Sequence, residues 1–128
     1  MSTPLASERQ QAPGQPFVRQ RLRDLPTPPE VAAEARRFHK AQGWGGRQRL
    51  NAFEDELKLQ YYYGGQCIRC LFGREGPIIV AIYRGDDQDY RNQEQALSAK
   101  EKQEAVVLVP SVWNDPNSFI GWCEHHES

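Results

Sequence analysis

The chain has 128 residues, a formal net charge of −1 at pH 7 and a hydrophobic fraction of 38%. This length suits a single domain with one modest core. The near-neutral charge argues against strong bulk attraction to nucleic acid or anionic lipid. No apolar run approaches the length of a membrane span, and the first residues lack the apolar stretch of an export signal. Three cysteines without such a signal predict reduced thiols and a cytoplasmic location.

The charge is unevenly distributed along the chain. Residues 1–50 contain nine Arg and Lys against four Asp and Glu, whereas residues 51–128 contain seven against thirteen. This split indicates a basic arm beside an acidic body, or two solvated surfaces that simply differ in charge.

The N-terminal stretch has the composition of a disordered segment. Residues 1–26 contain four prolines, several Gln and Ser, and little periodic apolar character. Such a sequence buries too little surface to offset the entropy lost on ordering. We therefore predict a disordered arm over residues 1–26 and one folded domain over residues 27–128.

The predicted domain begins with a helix. Thr27 and Glu30 have the spacing of a capping box, and two prolines between them suit a first helical turn. Three apolar residues then follow at helical spacing: Val31, Ala35 and Phe38. Gly43 is the predicted C-terminal stop.

A three-stranded antiparallel meander is predicted after this helix. Residues 47–56 resemble a short helix, and residues 57–63 alternate and are rich in aromatics, as a strand would be. Gly64-Gly65 suits a two-residue hairpin turn. Residues 66–72 and 77–83 are the second and third strands of this prediction.

The register of this meander follows from its turns. Leu59 would face Cys70, which would lie beside Ile79, while Ile68 would lie beside Ala81. The third strand is apolar on both faces and is therefore predicted to be central.

The remaining elements are a helix over residues 92–104, with Ser98 as an internal start, and a buried strand over residues 105–109. We expect this strand to lie parallel to the third strand after a right-handed crossover, if the two pair. The predicted fold class is therefore α+β: N-terminal helix, antiparallel meander, helix and final strand, with helices packed on the sheet.

Zinc binding is one hypothesis for the function. Five residues offer zinc-ligand chemistry: Cys67, Cys70, Cys123, His125 and His126. However, residues three apart in a straight strand point to opposite faces, so Cys67 and Cys70 would diverge. A buried cysteine between apolar neighbours also serves as a small hydrophobe. The favoured prediction has no cofactor, and zinc stays an alternative.

Nucleic-acid binding is a second hypothesis. The basic half of the chain could bind phosphates, and a neighbouring sheet face could place an aromatic side chain for stacking on a base. The candidate contacts are Arg36, Arg37, Lys40, Arg47, Arg49, Tyr62 and Arg69.

Protein interaction is the third hypothesis and the preferred one. Three tryptophans are candidate anchors for a partner protein or a second copy of the chain: Trp44, Trp113 and Trp122. Their alternative role is to cover the edge of a small core.

Enzymatic activity has little support in the sequence. Asp86, Asp87 and Asp89 could hold Mg²⁺, but a solvated acidic turn is the favoured interpretation, because no second group of carboxylates and no phosphate-binding glycine loop accompanies them. The sequence therefore favours a non-catalytic binding or regulatory module, with nucleic-acid binding and zinc binding as alternatives.

Overall fold

The structure, a computed structural model, describes residues 18–110. These residues form four α-helices and a four-stranded antiparallel sheet, so the predicted α+β class is confirmed. The helices are α1 (Pro29–Gln42), α2 (Arg47–Tyr63), α3 (Asp87–Gln95) and α4 (Ala99–Glu104). The strands are β1 (Gln20–Arg21), β2 (Cys67–Gly73), β3 (Gly76–Tyr83) and β4 (Val106–Leu108), and a 3-10 helix, Leu22–Asp24, follows β1.

The sheet lies between two layers of helix and has the strand order β1-β3-β2-β4. On one face, Ile68, Cys70, Ile79 and Ile82 join a core with buried residues of α1 and α2. On the other face, a smaller cluster forms around Leu97, between α3 and α4. The third predicted strand, now β3, is therefore central and covered on both faces, as expected from its continuous apolar sequence.

The β2–β3 hairpin was predicted from the sequence and is confirmed. Cys70 lies beside Ile79, as the register required. An irregularity between Arg69 and Cys70 then shifts the ladder, so that Ile68 pairs with Ile82 and not with Ala81. A β-bulge adds one residue to one strand, and the simple count from the turn could not include it.

The predicted first strand of the meander is wrong. Residues 57–63 are the second half of α2, which runs for 17 residues without a break. The chain between Arg47 and Tyr63 contains no Gly or Pro to stop a helix. Gly64 and Gly65 therefore connect a helix to β2 and do not form a hairpin turn, and the predicted contact between Leu59 and Cys70 as strand neighbours does not exist.

The C-terminal part differs from its prediction in two ways. The stretch over residues 92–104 divides into α3 and α4, with the predicted start at Ser98 confirmed by a complete capping box with Glu101. The final strand, β4, pairs antiparallel with β2 and not parallel with β3. It is an edge strand, and Val107 is about half exposed where a buried strand was expected.

The first long helix, α1, is close to its prediction. It ends at Gly43, whose φ of 74° is in the left-handed region that glycine favours. Its start differs, because Pro28 and not Thr27 is the N-cap residue and no side chain caps the helix. Proline fixes φ for the first turn, and this replaces the expected hydroxyl cap.

The segment before α1 is part of the fold, although residues 1–26 were predicted to be a disordered arm. Gln20 and Arg21 pair with Ile79 and Ile78 of β3. Leu22 is 0% exposed and belongs to the main core. Residues 1–17 of the predicted arm lie outside the described residues. Within residues 18–110, the helices do not combine the length and the apolar character needed to cross a bilayer.

Candidate functional site

A polar stripe on α2 holds the N-terminal segment in place. Asp55, Lys58 and Tyr62 follow one another at helical spacing and are all buried. The Lys58 ammonium donates to the carbonyl oxygens of Leu22 (2.9 Å) and Leu25 (2.7 Å). The Tyr62 hydroxyl donates to the carbonyl oxygen of Pro26 at 2.6 Å, so the stripe binds three carbonyl groups of the N-terminal segment.

An ion pair continues this stripe toward the sheet. The Arg23 guanidinium donates through Nε (3.3 Å) and Nη2 (2.8 Å) to the two carboxylate oxygens of Asp55. Asp55 is only 3% exposed, and burial raises its pKa against the opposing attraction of Arg23. Burial likewise lowers the pKa of Lys58, the other buried charge. Titratable groups perturbed in this way are common at functional sites and in structural ion pairs alike.

A groove opens beside this ion pair, between α2 and the turn of the β2–β3 hairpin. We call it the α2–hairpin groove. Its larger cleft has a volume of about 350 Å³, and the adjoining smaller cleft has a volume of about 170 Å³. The larger cleft is lined by Arg23, Gln48, Asn51, Gly73 and Arg74. The smaller cleft shares two of these residues and is lined by Arg23, Thr27, Asn51, Glu54, Asp55 and Lys58.

Glycine at position 76 leaves room for the Arg23 side chain beside the hairpin. Gly76 has a φ of 87°, and a Cβ atom there would lie 2.6 Å from Arg23 Nε and 3.0 Å from its Cδ and Cζ. Only glycine permits this approach of a guanidinium to the hairpin backbone. Arg23 is therefore held by Asp55 and lies against the hairpin backbone at Gly76.

The other polar side chains of the larger cleft are available to a ligand. In the part of the chain that the structure describes, no hydrogen bond or ion pair engages the side chains of Gln48, Asn51 or Arg74. They are exposed or half-buried. Two amides and a guanidinium therefore add donors to the one that Arg23 presents.

A second polar cluster lies on the opposite face of the sheet. Arg69 donates to the carboxylate of Glu94 (2.6 Å) and to the carbonyl oxygen of Lys102 (3.2 Å), and the hydroxyl of Tyr83 also donates to Glu94. Burial and the neighbouring carboxylate raise the pKa of Tyr83 to about 12. The Tyr90 ring stacks on Tyr83 with centroids 4.9 Å apart. This cluster connects β2 and β3 to α3 and α4.

The predicted nucleic-acid residues separate into two groups. Arg36, Arg37, Lys40 and Arg47 are exposed and Arg49 is half-buried. Lys40, Arg47 and Arg49 lie close to the short loop between α1 and α2, and Arg36 and Arg37 lie farther from it, in the C-terminal half of α1. We call these five residues the basic end. Arg37 pairs there with Glu34.

The structure does not bring the other two members of that set to the basic end. Tyr62 is 9% exposed and its hydroxyl is engaged with Pro26. Arg69 contacts Glu94 on the sheet face that α3 and α4 cover, opposite to α1 and α2.

The two described cysteines differ in burial. Cys70 lies in the main core, where burial raises the pKa of its thiol, while Cys67 is half-buried and adjoins Arg69 on the strand. In residues 18–110, no three His, Cys, Asp or Glu side chains are grouped to hold a metal ion. The remaining zinc candidates, Cys123, His125 and His126, lie outside the described residues.

The acidic turn has a structural role in the described fold. The Asp86 side chain caps α3 by accepting from the backbone N–H of Asp89 (2.7 Å), and Asp89 accepts from the N–H of Arg84 (2.8 Å).

Of the tryptophans, Trp44 packs edge-on against Phe38 at 5.6 Å and covers the edge of the core. Trp113 and Trp122 lie outside the described residues.

Sequence reasoning missed the α2–hairpin groove. The sequence predicts a disordered arm at Arg23, and for the stretch that contains Gln48, Asn51 and Asp55 it predicts a short helix without a binding role. One signal in the sequence is the run Glu54-Asp55-Glu56. In a helix with an apolar face, the middle carboxylate of this run, Asp55, points to a buried ion pair. No known protein family, curated protein or solved structure matches this chain.

Proposed function

We propose that this chain is a non-catalytic binding module whose partner is a polyanion held at the basic end. The observation that carries the proposal is that five cations lie on either side of one interhelical loop, in the C-terminal half of α1 and the first turn of α2, and that four of them are exposed: Arg36, Arg37, Lys40, Arg47 and, half-buried, Arg49. Clustered cations raise the local concentration of an anionic partner even where the whole chain is near neutral.

The buried charges support a binding role over a catalytic one. Asp55 is engaged with Arg23, Lys58 with two backbone carbonyls, and Glu94 with Arg69. Each of these pairs connects parts of the fold, so their perturbed pKa values have a structural cause. In the acidic turn, the Asp86 carboxylate likewise caps α3, and the Asp89 carboxylate accepts from the backbone N–H of Arg84.

Nucleic acid is the polyanion that we propose first. Four of the five cations at the basic end are arginine, and a guanidinium matches two phosphate oxygens at once. An acidic segment of a partner protein is the competing polyanion. The proposed location is the cytoplasm, where both classes of partner occur.

The test uses two charge-matched triple variants of the full chain. The first is Arg36→Gln, Arg37→Gln and Lys40→Gln at the basic end. The control set consists of exposed cations elsewhere: Arg84→Gln, Arg91→Gln and Lys100→Gln. Fluorescence anisotropy with single-stranded RNA, single-stranded DNA and a glutamate-rich peptide would be measured over a range of salt concentrations.

The expected result is a salt-dependent affinity for the oligonucleotides that the first triple variant weakens and the control does not. The slope of log K against log salt should fall by about 2 with the loss of three phosphate contacts. Equal losses in both variants would show non-specific attraction and refute the basic end as the binding surface. Tighter binding of the glutamate-rich peptide than of the oligonucleotides would show that the partner is an acidic protein and not a nucleic acid.

Zinc binding and self-association stay as alternatives and are separated by native mass spectrometry of gently purified protein. A mass increase of one zinc ion that a chelator removes would support the zinc alternative. A doubled mass would support a homodimer, and a nucleotide adduct would support the first proposal.

A further inference from the structure

We infer that the larger cleft of the α2–hairpin groove is a binding site for a phosphate group, with Arg23 as the fixed ligand and Arg74 as the second guanidinium. The inference rests on the proposed function, because phosphate is the repeating anionic group of nucleic acid, the partner that we propose first. It concerns a different surface, however, and has its own test.

Arg23 is oriented before any ligand arrives. Asp55 engages its Nε and Nη2 atoms, and Gly76 allows the guanidinium to lie against the hairpin. The Nη1 atom has no hydrogen-bond partner among residues 18–110. A guanidinium that is already fixed loses little conformational entropy when it binds an anion, and this improves the affinity of a small ligand.

The lining of the larger cleft consists of donors. Arg74, Gln48 and Asn51 contribute a guanidinium and two side-chain amides, and none of the five lining residues is acidic. A volume of about 350 Å³ accommodates a phosphate together with part of the group that carries it. Arginine and amide donors in this arrangement suit an oxyanion with several acceptor oxygens.

The adjoining cleft fixes the position of the anion. Glu54 and Asp55 line the smaller cleft, where they balance the charges of Arg23 and Lys58, whereas the larger cleft has two guanidiniums and no carboxylate. The anion therefore belongs in the larger cleft, at the side of Arg23 that faces away from Asp55. The smaller cleft is left for an uncharged or cationic part of the same ligand.

The experiment is a titration of the ¹⁵N-labelled full chain with inorganic phosphate, followed by two-dimensional NMR. We expect saturable shifts of the Arg23 Nε–H signal and of the side-chain amides of Gln48 and Asn51, with a dissociation constant of about 1 mM. Sodium chloride at the same ionic strength should leave these signals unchanged. A mononucleotide in a parallel arm distinguishes free phosphate from a phosphate on a nucleoside, which should bind more tightly.

Two matched variants make the result specific. Arg74→Gln should weaken phosphate binding at least about tenfold, because it removes one of two guanidiniums. Arg84→Gln changes an exposed arginine beside a different turn and should have no effect. Unsaturable shifts spread over the surface, or equal affinity in Arg74→Gln and the unmodified chain, would overturn the inference.

The triple variant at the basic end separates this inference from the proposed function. If that variant loses oligonucleotide binding but keeps its phosphate affinity, both proposals stand. Phosphate binding without any oligonucleotide affinity would leave the groove site intact and refute only the function. Oligonucleotide binding without phosphate shifts in the groove would refute only the groove site.

Discussion

Leu22 provides the clearest test of how the N-terminal segment belongs to the fold. Its side chain is 0% exposed and packs in the main core. Leu22→Ala removes buried methyl and methylene groups while keeping the backbone bonds to Leu25 and Lys58, so the loss comes from transfer and cavity terms. Substitutions of this kind cost about 2–5 kcal/mol. We expect about 3 kcal/mol, because the segment is at the edge of the core and can partly collapse.

The assay is urea unfolding followed by fluorescence of the tryptophans, with the free energy of unfolding taken from the linear extrapolation. Val18→Ala is the matched control, since Val18 lies in the same segment but is 73% exposed, and it should change stability by less than about 0.5 kcal/mol. If Leu22→Ala also stays within 0.5 kcal/mol of the unmodified protein, Leu22 does not pack in the core and the assignment of residues 20–25 to the fold is wrong.

Two further substitutions test the contacts that hold this segment. Lys58→Met should cost about 2–4 kcal/mol in chemical denaturation, because two buried carbonyls lose a charged donor, while Lys100→Met at an exposed site should be nearly neutral. Glu101→Gln tests the ion pair with Arg19, whose hydrogen bonds lower the pKa of Glu101 to about 2. A lowered carboxyl pKa stabilises the fold at pH values above the pKa of the unfolded chain, which is about 4.5. Near pH 7, the free energy of unfolding of the unmodified protein should therefore be higher than that of the variant by about 1–2 kcal/mol, after allowance for solvent screening. This difference should vanish as the pH falls toward 2; a difference independent of pH would exclude the ion pair as its cause.

Local signals were sufficient to predict the hairpin and α1. The β2–β3 hairpin has two apolar strands around a glycine-containing turn, and α1 has an apolar face and a glycine stop. In both elements the residues that determine the structure are close in sequence, so turn chemistry and periodicity indicate the same answer.

Helix α2 shows where local signals mislead. Residues 57–63 alternate briefly and end in three tyrosines, which favours a strand by propensity. The same residues continue two helical stripes. One is largely apolar and includes Leu59 and Tyr63, and the other is polar and includes Lys58. The polar stripe is buried because the N-terminal segment covers it, and this contact joins residues more than thirty positions apart. Tertiary packing therefore determines that residues 57–63 are helical, and the sequence pattern of these residues alone could not predict it.

The groove could not be predicted for the same reason. Its walls come from the 3-10 helix, from the first half of α2 and from the hairpin turn. Arg23 gains its orientation only when β1 joins the sheet, because that pairing brings the guanidinium over Gly76 and beside Asp55. An arginine assigned to a disordered arm carries no information about a site. A two-residue strand has almost no sequence signature of its own, yet here its pairing with β3 positions the fixed ligand of the proposed phosphate site.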